Sequence, residues 1–407
     1  MKEFVLDNGL KFIYEKGTSM LTSISIALEA GASAECMLSE KLGVAHATEH
    51  MVFKGTKTRT EANINETLSK LFGFHNAMTN YPYVIYYGTL LGEDLDEGIE
   101  IFSDILINPI FPIEGFNEEM DSIKEELNEW DEELDQYCED KLFIHSFKEN
   151  RLKYPIIGTH EDLNRISLED IKTFYESFYT PENTTIAIVS SLEFEEIKYF
   201  VEKYFNNWVG KKIYVSESDE LPMCTLNKTI KDGINIARVE AIFSLANISE
   251  YDIKCLNIFN EFFGEGVNSI LFNELRTKRG LVYDVITSIC NEKHIRLYKI
   301  TFNTSPEKVF EAINILKKCY SDIDSYKPVL TDEKINELTK SSKLKMYFKE
   351  EQGIRKANNM STYNVMYDGN EVYKTLFYGL DNLNNEIILS SVKKVLKNPS
   401  IQIISPR

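Results

Sequence analysis

The chain has 407 residues, of which 43% are hydrophobic and 27% charged, and it carries a formal net charge of −19. That length accommodates two or more compact lobes with separate cores, and that composition excludes an intrinsically disordered chain. The negative charge works against binding to phosphate backbones, so no nucleic-acid partner is expected, and no run approaches the ~18 apolar residues of a membrane span, so no membrane partner is expected.

The N-terminus, MKEFVLDNGLKFIYEKG, alternates apolar and polar residues as a strand does and shows no signal-peptide pattern, so a cytoplasmic location is expected. Strands are predicted around GLKFIYE and TSISIALEAG. A helix from Leu42 to Lys54, stopped by Gly55, follows. It carries His46 and His50 four residues apart, on one helical face, where both imidazoles can reach a single ion. Glu49 lies on the flank of that face, placed to accept a proton from water without ligating the metal. HxxEH in a chain with only six histidines is a specific pattern; the competing reading is a solvated helix with surface histidines.

A tetrahedral site needs a third protein ligand, and the acidic helix predicted over 114–133 is the best source. Phe116, Met120, Ile123, Leu127 and Trp130 form one buried stripe. At about 100° per residue, Glu118, Glu125 and Glu129 point to solvent, whereas Glu119 and Glu126 sit on a shoulder of the stripe. The helical wheel selects this pair without deciding between its members.

The first half ends in LNRISLEDIKTFYESFYTPENTTIAIVS and the whole chain in LNNEIILSSVKKVLKNPSIQIIS, each a helix, a Pro-containing turn and a β-branched strand. The second half opens with a strand in INIARVEAIFSL. The expected fold is therefore α+β: two related lobes, each a mainly antiparallel sheet packed with helices, spanning 1–209 and 224–407 and joined by a polar linker at 210–223. The cysteines at 36, 138, 224, 255, 290 and 319 form no CxxC pair and read as isolated thiols.

GVAHATEHMVFKGT resembles the zinc helix of the pitrilysin/insulinase family of inverted zinc metallopeptidases, closest to its compact, mitochondrial-processing-peptidase-like bacterial members. The resemblance extends over nearly the whole chain. It implies that the second glutamate of an E-x6-E pair, here Glu126, is the third ligand of one Zn2+ per chain, and that Glu119 supports the site from behind a ligand. FGFHNAMTNYPYVIYYG is similar to the family's substrate-pairing strand, which implies main-chain contacts at Asn76 and Ala77. FFGEGVNSILFNELRTKRGLVYDV resembles its R-x6-Y segment, which assigns Arg276 and Tyr283 to the substrate carbonyl. Met78, Thr48 and the histidine-free KENRLKYPIIGT depart from the family pattern, at none of the ligand positions.

The implied activity is a zinc endopeptidase acting on peptides or unfolded segments inside a chamber, with Glu49 as general base. Completing the chamber implies a homodimer, or a heterodimer with a related subunit. The alternative is a non-catalytic peptide-binding or scaffold subunit of a hetero-oligomer.

Overall fold

The computed structural model describes residues 1–38, 41–216, 220–380 and 382–407. The chain forms two compact units. The first is built on a six-stranded sheet of β1 (Lys2–Val5), β2 (Lys11–Lys16), β3 (Leu21–Leu28), β4 (Phe72–Thr79), β5 (Val84–Leu91) and β6 (Thr184–Ser190), ordered β1-β2-β6-β3-β5-β4. The second holds a five-stranded sheet of β7 (Leu226–Ile230), β8 (Ala237–Ser244), β9 (Val282–Glu292), β10 (Ile295–Thr304) and β11 (Ser400–Ser405), ordered β7-β11-β8-β10-β9.

With β1 set aside, the two sheets share one topology. In each, the first strand pairs parallel with the last, β2 with β6 and β7 with β11, and every other pairing is antiparallel. The fold is thus α+β with two related lobes, each a mainly antiparallel sheet packed with helices. The matching helix, Pro-turn and strand at the two ends read from the sequence correspond to β6 and β11 with the helices Leu168–Phe178 and Asn385–Val395 before them.

Strand alternation explains how each sheet is covered on both faces. On β3, Ile24, Ile26 and Leu28 point one way into the apolar core, while Ser25 and Ala27 point the other way. That second, smaller and more polar face receives the helix Gly353–Tyr367, which packs on β3 and β6. Its Ser361 bonds Ser25 at 2.8 Å and its Asn364 accepts from Thr185 at 3.0 Å. The second sheet repeats the arrangement. Val239, Ala241 and Phe243 of β8 enter the core. Arg238 on the opposite face pairs at 2.7 Å with Asp135 of the helix Leu134–Ser146, and Lys299 of β10 pairs at 2.6 Å with Glu139 of the same helix.

Each unit therefore draws residues from both sides of the polar 210–223 stretch. The first contains Met1–Glu129, the stretch that begins at Tyr154, and Phe348–Lys374; the second contains Trp130–Lys153 and Thr375–Arg407 beside its strands. Among the described residues, no helix is long and apolar enough to cross a membrane.

Candidate metal centre

The histidine helix runs Val44–Met51, shorter than the Leu42–Lys54 span expected from periodicity. Gly43 sets its start: its φ of 92° is left-handed, and a Cβ there would lie 2.3 Å from the carbonyl oxygen of Ile157. The fully buried Glu35 carboxylate accepts the N–H groups of Gly43 (3.0 Å) and Ala45 (2.9 Å), which would otherwise be orphaned at the helix N-terminus. At the other end, the residues after Met51 turn away before Gly55, whose φ is 141°. Thr48 bonds back to the Val44 carbonyl at 2.7 Å inside the helix.

The acidic helix spans Ile113–Glu132. Met120, Ile123 and Leu127 are buried along its stripe, Glu118, Glu125 and Glu129 are exposed, and Glu119 and Glu126 are half-buried. Anchoring the stripe in the core turns this shoulder toward the histidines. Among the described residues, His46, His50 and Glu126 form one group whose ligand atoms all lie within 4.8 Å of one another.

The two imidazole Nε2 atoms are 3.3 Å apart. A tetrahedral zinc with bonds of ~2.0–2.2 Å requires ligand–ligand edges of about 3.3–3.6 Å, so this edge already has the length zinc demands. Glu126 lies 3.7 Å from His46 Nε2 and 3.8 Å from His50 Nε2, a few tenths of an ångström beyond such an edge. A half-buried glutamate closes that gap by side-chain rotation. Two imidazoles and one carboxylate are a donor set that suits zinc, and they leave a fourth position open.

The two histidines are oriented differently. Nδ1 of His50 lies 2.7 Å from Glu119 Oε1, which fixes the ring and directs the Nε2 lone pair at the site. Nδ1 of His46 is buried with no hydrogen-bond partner, so no carboxylate behind the ring orients it as Glu119 orients His50. The electrostatics follow. Burial, aided by the neighbouring His50, holds His46 down to about 3, keeping it neutral. Burial also lowers His50, but the bond to Glu119 and the charges of Glu49, Glu119 and Glu126 outweigh it and raise the net value. A metal at His50 Nε2 therefore competes with a proton. Glu119 is held down to about 2, first by His50 and then, against burial, by Lys54, whose Nζ is 2.9 Å away. Burial raises Glu126, against the pull of His50.

Glu49 is 7% exposed and its carboxyl is raised by burial, opposed by His50 and by hydrogen bonds from Thr79. A buried carboxylate with a raised value, beside a metal-binding geometry, is suited to accepting a proton.

The remaining expected residues fall in two places. Asn76 and Ala77 lie on β4, the edge strand of the first sheet, with Asn76 exposed. In the second unit, the Arg276 guanidinium stacks 4.7 Å over the Tyr283 ring and 4.8 Å over Phe272. Tyr283 is 80% exposed at the start of β9. Three participants were not anticipated from the sequence: Glu35, Lys54 and Thr79. The first two act on residues of the site from outside any recognisable spacing, and Thr79 closes a strand whose sequence pattern points only to main-chain contacts.

Fold and site together define a class, a two-lobed α+β protein with a candidate HxxEH metal centre. A model of the insulinase family, peptidase family M16, matches residues 11–160, and a model described as the peptidase M16 inactive domain matches residues 165–342. An uncharacterized zinc protease of Rickettsia bellii is 30% identical over 283 residues, covering 69% of this chain and 68% of that protein. The mitochondrial-processing peptidase subunit beta of Saccharomyces cerevisiae is 29% identical over 204 residues, covering 50% of this chain and 44% of that protein. The crystal structure of a protease from Helicobacter pylori superposes with a TM-score of 0.89 at 17% identity, covering 100% of this chain and 99% of that one. The chain belongs to the insulinase family, peptidase family M16.

Proposed function

We propose that this chain is a zinc endopeptidase that hydrolyses peptides or unfolded segments. The observation that carries the reading is the pair of Nε2 atoms 3.3 Å apart, with the Glu126 carboxylate at 3.7–3.8 Å and the buried Glu49 next in sequence to His50. His46, His50 and Glu126 hold the ion, and Glu119 steadies His50. Zinc bound there supplies Lewis-acid polarisation of the scissile carbonyl and of a water. Glu49 takes the proton from the attacking water and delivers it to the leaving amine. Arg276 and Tyr283 donate to the carbonyl oxygen as charge develops on it. Asn76 and Ala77, on an edge strand with an unpaired side, hydrogen-bond the substrate as an added strand.

The relative named as a processing-peptidase subunit beta supports assembly with a second chain. We assign this protein to a homodimer, since Arg276 and Tyr283 accompany the metal residues in one chain; a heterodimer with a related subunit is the other arrangement. Sizing chromatography coupled to an activity assay on the lone protein distinguishes them. A non-catalytic scaffold subunit would have no use for the complete set of His46, Glu49, His50 and Glu126. The reading as a whole is tested by mass-spectrometric mapping of cut sites in an unstructured peptide library. Internal cleavage by protein with stoichiometric zinc is expected, and no cleavage at all would overturn it.

A further inference from the structure

Resting on the peptidase reading above, we propose that Thr79 is a positioning residue for Glu49, clamping Oε2 so that Oε1 is the oxygen presented for proton transfer. The Thr79 hydroxyl donates to Glu49 Oε2 at 2.7 Å, and the Thr79 main chain adds a second hydrogen bond to the same carboxylate. Both residues are buried, at 8% and 7% exposure, so water does not compete for these bonds.

The donor is itself held rigidly. Thr79 is the last residue of β4 and pairs with Val84 across a tight connection, which the bond from Asn80 N–H to the Tyr83 carbonyl closes at 2.7 Å. A β-branched side chain on a strand end has little χ1 freedom, so the hydroxyl points where the strand puts it. Glutamate has three side-chain torsions, and the histidine helix fixes only its Cα and Cβ. Two donors from one residue on a neighbouring element fix the rest. The same strand carries Asn76 and Ala77, three and two residues earlier, so the strand proposed to align the substrate also aligns the base.

The test compares Thr79→Val, which removes the hydroxyl at nearly constant shape, with Thr79→Ser, which keeps it. Thr79→Ala replaces the valine variant if that one does not fold. Each zinc-loaded full-length protein is assayed for kcat and KM on an unstructured peptide, alongside bound zinc and the crystallographic position of Glu49. Thr79→Val is expected to lower kcat on the order of 10- to 100-fold with KM and zinc content unchanged, and Thr79→Ser to stay within about threefold of wild type. In the valine variant the Glu49 carboxylate is expected to rotate away from its wild-type position. Wild-type kcat in Thr79→Val, or an equal loss in Thr79→Ser, overturns the proposal. If the wild-type protein cleaves no peptide, the peptidase reading fails on its own account. The crystal structures then decide on Thr79, and an unmoved Glu49 carboxylate in Thr79→Val overturns its positioning role.

Discussion

Nδ1 of His50 lies 2.7 Å from one oxygen of Glu119, and Nζ of Lys54 lies 2.9 Å from the other. The carboxylate thus bridges a candidate metal ligand and a cation supplied three residues beyond the helix. It orients the imidazole and makes its Nε2 a better donor. Glu119→Gln keeps an acceptor but removes the charge. Zinc affinity, measured by competition with a chelating dye, is expected to fall about 10- to 100-fold. Unchanged affinity would mean that Glu119 serves only to pair with Lys54.

The start of the histidine helix depends on a left-handed backbone at one residue, Gly43. Gly43→Ala places a Cβ 2.3 Å from the Ile157 carbonyl oxygen at a φ of 92°. The expected cost is about 2 kcal/mol or more, since a left-handed conformation and a backbone clash combine. Thermal denaturation of the zinc-free protein should show a lowered Tm, and zinc content after purification should fall with it. A variant as stable as wild type would show that the helix can start differently.

Asp104 organises the turn that follows the histidine helix. It accepts from Thr56 (2.6 Å), Thr58 (2.8 Å), Arg59 (2.8 Å) and Asn108 (3.0 Å). Burial pushes its carboxyl up, but these four donors outweigh burial and hold it below the ordinary value. A depressed folded-state value stabilises above the unfolded value of ~3.9, and that contribution is lost as pH falls through the folded value. Asp104→Asn is therefore expected to cost about 1–3 kcal/mol at pH 7 in urea unfolding, with the gap to wild type narrowing below about pH 4. An equal gap at pH 7 and pH 3 would contradict this assignment.

Much of the site was legible because helices project residues at fixed angles. The i, i+4 spacing placed His46 and His50 together, and the apolar stripe of the acidic helix separated Glu119 and Glu126 from the three exposed glutamates. Periodicity carries the expected helix back through Gly43 to Leu42, whereas the left-handed backbone at Gly43 starts it at Val44. The exchanged helices Leu134–Ser146 and Gly353–Tyr367 left little trace in the sequence. They mix the polar contacts of Asp135, Glu139, Ser361 and Asn364 with buried apolar residues such as Cys138, Leu142, Val365 and Met366, so hydrophobic periodicity alone does not reveal what they cover. Thr79 escaped for a related reason: its partner Glu49 lies on another element, and no local pattern links them.

Arg276 and Tyr283 already stack in the second unit, with the guanidinium 4.7 Å from the ring. If they serve as donors to the reacting carbonyl, Tyr283→Phe and Arg276→Ala should each lower kcat by tenfold or more, on the order of the loss of one oxyanion donor. Zinc content should stay at the wild-type level in both. Rates within twofold of wild type would reduce the pair to a surface stack.

The most direct measurement is the rate of cleavage of one library-derived peptide by wild type and by Glu49→Gln, each with its zinc content determined on the same sample. The expected result is equal zinc, with cleavage by the variant reduced by about 10²–10⁴-fold. Undiminished cleavage by Glu49→Gln at equal zinc would contradict the assignment of Glu49 as the base and, with it, the proposed mechanism.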